Sequence, residues 1–241
     1  MTMGIIDKLA KSMATRATVI DKTKAAEHTY RLTIRLQGSQ SFAYRPQDFL
    51  RILVLDDPKV PLRDRVRSYS IWNFDARTQS LDLAVCTFSN GPGAHWIQNV
   101  RAGDDVYFMK HASNLVIHQD DADAVMIGDI SALGHLYGLR RFFRYPERVS
   151  GLIFGRDQAD FFPDLDGESP FQFIAGGPHQ DQTVISAVEA ALPRHAGKTA
   201  IYVAGDGEMC KLLYKYLKSL GWSGKQVKVK PFWIQGKKGL E

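Results

Sequence analysis

The stretch RSYSIW, Arg67 to Trp72, follows a polar, charged run (DDPKVPLRDRV, 56–66) and opens a segment in which apolar and polar residues alternate. That alternation predicts a β-strand, on which side chains two apart share a face. Arg67 and Tyr69 therefore present a cation and an aromatic ring side by side, with Ser70 on the other face. The pair suits a phosphate beside a flat ring, although a solvated strand face has the same make-up.

The neighbouring sequence has the same character. Residues 16–36, 49–55, 67–74, 81–88 and 105–109 are rich in β-branched and aromatic residues and are separated by turn signals. Many short strands at close spacing predict a barrel. One segment interrupts them: in NGPGAHWIQNV (90–100), glycine and proline precede a short helical pattern. From about residue 122 the rhythm changes. Short apolar strands, AVMIGD, GLIFGR, FQFIAG and AIYVAGD, alternate with helical stretches, notably ALGHLYGLRRFF, QTVISAVEAAL and EMCKLLYKYLKSL. This predicts βαβ units around a parallel sheet, which binds ligands at the carboxyl ends of its strands.

Composition narrows the function classes. With 241 residues, 44% hydrophobic and 24% charged, the chain has the make-up of an ordinary globular protein of one or two domains. Its longest apolar runs fall far short of a membrane span, and no apolar leader with a small-residue cleavage site opens it, so a cytoplasmic location is expected. The mildly amphipathic segment Ile5 to Met13 reads as a docking or frayed terminal helix. Cys86 and Cys210 lie far apart, and the seven histidines lack ligand spacing. No disulfide framework or protein-held metal is expected, and redox chemistry would need an organic cofactor. The net charge of +5 points to anionic partners, but neither a basic recognition helix nor an aromatic sheet motif supports nucleic acid.

Taken together, RSYS (67–70), LDLAVCTFSNGPGAHWIQNVRAGDDV (81–106), AVMIGDISALG (124–134), IYVAGDGEM and PFWIQGKKG resemble the ferredoxin-reductase-like flavoproteins. Among these the sequence is most similar to the siderophore-interacting protein family of ferric-siderophore reductases. The resemblance covers the chain from about residue 16. It implies an antiparallel six-stranded FAD-binding β-barrel (16–118), then an open parallel α/β domain of NAD(P)H-binding type (119–241), behind an N-terminal helix or arm (1–15).

Site residues follow from the same resemblance. Arg67 would meet the FAD pyrophosphate, Tyr69 would lie against the flavin, and Ser70, beside Ser68, would bond near its reactive edge. Gly91, Pro92, Gly93 and Ala94 would bring a helix N-terminus to the phosphates, and Val85, Cys86 and Thr87 would border the ring. Two departures stand out: Ala94 replaces the family's serine, and Trp72 its arginine. NADPH or NADH would be held near Asp129, Ser131, Ala132 and Trp233, with Arg156 a candidate for a 2′-phosphate. Arg51, Lys237 and Lys238 would contact an anionic ferric siderophore, with His135 and Arg140 as looser candidates. The implied activity passes electrons from NAD(P)H, or from ferredoxin, through FAD to Fe(III) in a cytoplasmic monomer. A reductase for a protein acceptor and a non-enzymatic flavin or iron-chelate binder are the alternatives.

Overall fold

The structure, a computed structural model, describes residues 14–38, 42–57, 59–113, 115, 117, 123–193 and 197–236. The chain divides into two compact units, Met1–Ser113 and Asn114–Glu241. The expected N-terminal helix lies almost wholly outside the described residues.

In the first unit six strands close a barrel: β1 (Thr15–Ala26), β2 (Thr29–Leu36), β3 (Asp48–Leu53), β4 (Val66–Asp75), β5 (Ser80–Cys86) and β6 (Asp105–Ala112). Their order around the ring is β1-β2-β5-β4-β3-β6, with every neighbouring pair antiparallel, as the sequence led us to expect. Period-two patterning drives closure. Leu32 and Ile34, Leu50 and Ile52, Leu81, Leu83 and Val85, Val106 and Phe108 all point inward, none more than 2% exposed. Each such side chain contributes about 1.5–3 kcal/mol by leaving water.

On the outside, Asp82 pins three adjacent strands, accepting from Arg31 Nε (2.9 Å) and Thr33 Oγ1 (2.7 Å) on β2 and from Asn73 Nδ2 (3.2 Å) on β4. A one-turn helix, α1 (Leu62–Arg65), precedes β4, and α2 (Pro92–Asn99) joins β5 to β6. Ile97 of α2 enters the barrel core. Lys22 Nζ donates to the carbonyls of Ile97 and Gln98, both at 3.1 Å, which satisfies acceptors left over at the end of α2.

The second unit is a parallel sheet of β7 (Asp123–Asp129), β8 (Val149–Gly155), β9 (Gln172–Ala175), β10 (Thr199–Asp206) and β11 (Val227–Trp233), in the order β11-β10-β7-β8-β9. Helices α3 (Ile130–Arg140), α4 (Asp181–Ala191) and α5 (Gly207–Ser219) connect the strands. Nine of the eleven residues of α3, Ile130 and Ala132 through Leu139, are buried, so this helix is apolar nearly all round. A fifth strand, β11, joins the four that the sequence led us to expect. VKVKPFW pairs in parallel with β10 from Ile201↔Val227 to Asp206↔Trp233 and forms one rim of the sheet. No described helix is long and apolar enough to cross a membrane.

Candidate functional site

Around the barrel one seam is incomplete. β4 pairs with β3 along Val66–Ser70, but with β5 only from Ile71 onward. Over the same stretch Ala84, Val85 and Cys86 of β5 pair only with β2. A register shift between Ile71 and Asn73 marks where the strands part, as expected of a bulge that sharpens local twist. Trp72 is buried within that bulge and 3% exposed.

Arg67 and Tyr69 stand on the inward row that continues to Ile71, opposite Ile52 and Leu50 of β3. Ser68 and Ser70 occupy the other face, and among the described residues the buried Ser68 Oγ has no hydrogen-bond partner. Arg67 Nη1 donates to the carbonyls of Val66 (2.6 Å) and Asp64 (3.1 Å), fixing the guanidinium at the mouth of the seam.

The GPGA segment meets this row. A Cβ on Gly93 would lie 2.4 Å from the Tyr69 hydroxyl and 3.4 Å from Arg67 Cγ, so the helix approaches this closely only with glycine there. Trp96 stacks on Tyr69, ring centroids 5.9 Å apart and planes 27° apart. No side chain caps α2, whose N-cap is Gly91 and whose first residue, Pro92, has no N–H. Its next amides, Gly93 and Ala94, belong to the positive end of the helix dipole, and Gly93 packs beside Tyr69 and Arg67. Burial pushes the Tyr69 phenol above its ordinary 10, with Arg67 pulling it down and Cys86 pushing it up.

Other predicted residues have local duties. Val85 faces the core. Cys86 Sγ lies 3.6 Å from Thr29 Oγ1, and Thr87 bonds the His28 carbonyl through its amide (2.8 Å) and hydroxyl (3.1 Å). A cation, an uncapped helix start, two stacked rings and a parted strand edge thus meet at one place on the barrel. Ala94 removes one hydroxyl from that set, while the backbone amides stay.

At the carboxyl edge of the parallel sheet Asp129 gathers four elements. Its Oδ1 accepts from Ser131 N (2.7 Å) and the Ser131 hydroxyl, and its Oδ2 accepts from Asp206 N (2.7 Å) and Trp233 Nε1 (3.0 Å). Gly205 has φ +115°, and a Cβ there would come within 2.7 Å of the Asp129 carboxylate. Burial raises the Asp129 pKa, while these four donors lower it. Asp206 caps α5 through Met209 N (2.7 Å) and lies 3.7 Å from His179 Nε2. The amides of Gly176 and Gly177 both turn back to the Gly155 carbonyl, at 2.9 and 2.7 Å.

The chain's own carboxylates thus cap both α3 and α5, and an incoming phosphate would have to compete with them. Sequence reasoning brought Asp129, Ser131 and Trp233 to one place, and they do meet. It did not find Asp206 or His179, although GDGEM carries the N-cap signal of a glycine-flanked aspartate. Ala132 is wholly buried, and Arg156 is exposed just beyond β8.

The basic residues divide. Arg51 projects from the outer face of β3, opposite Ser68 and Met109, and not from the Arg67–Tyr69 row. Lys237 and Lys238 lie outside the described residues. Arg140 is half-buried at the C-terminal end of α3. His135, 3% exposed, sits edge-on to Phe232 with centroids 5.5 Å apart and is a core residue.

Burial, helped by Lys230, pushes the His135 imidazole from its ordinary 6.5 down to about 3. Between those values the unfolded chain takes up a proton that the folded chain refuses. Stability from this group is therefore lost as pH falls below 6.5, by at most about 1.4 kcal/mol per pH unit. Urea titrations of wild type and His135→Leu across pH 4–7 should show the wild type losing ground to the variant. Parallel curves would rule out the buried neutral imidazole.

No family model matches the sequence, and no curated protein matches it. Solved structures do match. A siderophore-interacting protein from Acinetobacter baumannii superposes with TM-score 0.77 at 14% identity, over 92% of this chain and 91% of that one. A siderophore-interacting protein from Aeromonas hydrophila gives 0.75 at 17% identity, over 93% of each chain. The ferredoxin reductase of carbazole 1,9a-dioxygenase, in an FAD apo form, gives 0.73 at 16% identity, over 91% of this chain and 67% of that one. The shared feature is the fold: a barrel of this topology followed by a parallel α/β sheet.

Proposed function

We propose that the protein is an FAD-dependent reductase of ferric siderophores, working in the cytoplasm with electrons from NAD(P)H or from a reduced ferredoxin. The observation that carries this reading is the parted β4–β5 seam, with Arg67, Tyr69 and the uncapped start of α2 at its mouth. Bound FAD would accept electrons in pairs and release them singly to Fe(III), and oxygen-rich chelators hold the resulting Fe(II) far less tightly. Arg67 and the Gly93 and Ala94 amides neutralise a pyrophosphate. Tyr69, backed by Trp96, covers one ring face and excludes water, and Ser70 is placed to bond the ring edge. Lys237 and Lys238 would supply positive charge for an anionic chelate, whereas Arg51, on the outer face of β3, stands apart from the flavin row. No side chain has to act as acid, base or nucleophile.

A protein electron donor or acceptor is the second reading, and the α/β unit favours giving it a place. The carboxylates of Asp129 and Asp206 already occupy the helix starts that a dinucleotide pyrophosphate ordinarily uses.

The test is spectroscopic first. Purified protein should carry, or take up, one oxidised flavin, and should then turn over a ferric chelate with NAD(P)H or with reduced ferredoxin. A protein that binds no flavin defeats the proposal. Flavin binding without ferric turnover from either donor leaves only a flavin-binding role. Tyr69→Ala should keep the fold yet shift the flavin absorption bands or midpoint potential, because the stacked ring sets the flavin's local polarity. An unchanged spectrum and potential would assign Tyr69 to the barrel wall alone.

A further inference from the structure

The outer wall of the barrel carries a concavity of about 310 Å³ that the flavin reading leaves unused. It lies over β3 and β6, beside the short helix α1. Strand register builds it: Arg51 stands opposite Met109, and Phe49 opposite His111, all on the outward face. Leu53, Val66 and Leu62 complete an apolar floor. Leu62 and Met109 are 48% and 51% exposed, an apolar surface left open among the described residues.

The rim is cationic. Arg51, Arg63 and Arg65 all line the cavity, and among the described residues no acidic one does. Arg65 is committed to the fold, donating to the Leu55 carbonyl at 3.0 Å and lying 3.5 Å from Asp56. Arg63 is extended into solvent, its nearest carboxylate, Asp64, 4.0 Å away. The His111 ring stacks on Phe49 at 5.5 Å, and among the described residues its buried Nε2 has no hydrogen-bond partner. The site thus offers an apolar floor, the exposed guanidinium of Arg63 beside Arg51, and a buried imidazole nitrogen.

We propose that this cavity binds an organic monocarboxylate with a single apolar body, an acyl chain of medium length or one ring. Its size is at the lower end of the range for ligand pockets, about 300–1,000 Å³, which excludes a dinucleotide. The apolar floor disfavours inorganic phosphate or sulfate, which would give up hydration and gain few contacts. A carboxylate head pairs with Arg51 and Arg63, and the body covers Leu62 and Met109. The inference rests on the place of Arg51 on β3 and not on flavin binding.

Calorimetric titration of the full chain with sodium decanoate, with and without saturating FAD, tests it. Decanoate should bind at one site in both conditions, at least tenfold more tightly than decanol or acetate. Arg51→Met combined with Arg63→Gln should weaken decanoate at least tenfold, with little effect on any decanol binding. Met109→Glu, which brings a negative charge to the floor, should abolish it. Thermal melts confirm that each variant folds, and the double variant decides if Met109→Glu does not. Equal affinity for decanol and decanoate, or undiminished binding in the double variant, overturns the proposal. So does displacement of decanoate by ADP, which would make the cavity part of a nucleotide site. Failure to bind flavin leaves the decanoate result standing, and the reverse holds too.

Discussion

Arg67→Ala is expected to leave gel filtration as colourless protein under conditions in which the wild type keeps its flavin. The carbonyls of Val66 and Asp64 orient the guanidinium, and no other arginine shares the inward row of β4. A charge-assisted bond to a pyrophosphate oxygen contributes about 1.5–3 kcal/mol, so affinity should fall roughly ten- to 150-fold. Arg67→Lys keeps the charge and loses the planar fork, and should fall between. Flavin-to-protein ratios and fluorescence titration with FAD measure both. Full flavin retention at unchanged affinity would remove Arg67 from the site and with it the phosphate role of α2.

Asp129→Asn is expected to destabilise the α/β unit by about 3 kcal/mol, a fall in melting temperature of roughly 6–12 °C for a chain of this size. Each carboxylate oxygen accepts two donors. Whichever way the amide is turned, its NH₂ confronts a backbone N–H: that of Ser131 on one side or that of Asp206 on the other. The Ser131 hydroxyl can rotate to accept, but a backbone amide cannot. Relief of the buried charge offsets part of the loss, yet an orphaned buried N–H alone costs about 1–3 kcal/mol, and the charge-assisted bonds are lost besides. Differential scanning calorimetry reads the shift, and a loss below about 1 kcal/mol would show that Asp129 does not hold the sheet edge together.

Much of this was readable from residues alone, for reasons that differ by element. The inner rows of the barrel announce themselves because Leu81, Leu83 and Val85, or Leu50 and Ile52, alternate strictly. Helix α3 was legible from its apolar content next to a glycine-aspartate start. β11 was not, although V-K-V-K is a period-two pattern: two lysines two apart suit a solvated charged loop as readily as the outward face of a strand. The parting of β4 from β5 left no mark in either strand, since pairing depends on a partner more than ten residues away. Arg51 was recognisable as a cation on a strand, but its face is fixed by register with Ser68 and Met109, which composition does not encode. The burial of His135 had a signal, because it lies within a helix apolar on both sides, yet a histidine on a helix near a strand end also suits a ligand.

The two rims of the parallel sheet have a consequence of their own. β9 has four residues, too few to template a long partner, while β11 carries Lys228 and Lys230 and then Pro231, a position with no N–H to offer. Lys228 is held at 4.7 Å over the Tyr202 ring of β10 and donates to its hydroxyl at 3.2 Å, which fixes this lysine on the face of the sheet. A foreign strand approaching either side therefore meets a short edge on one and lysines followed by a proline on the other, both poor templates for a sixth strand.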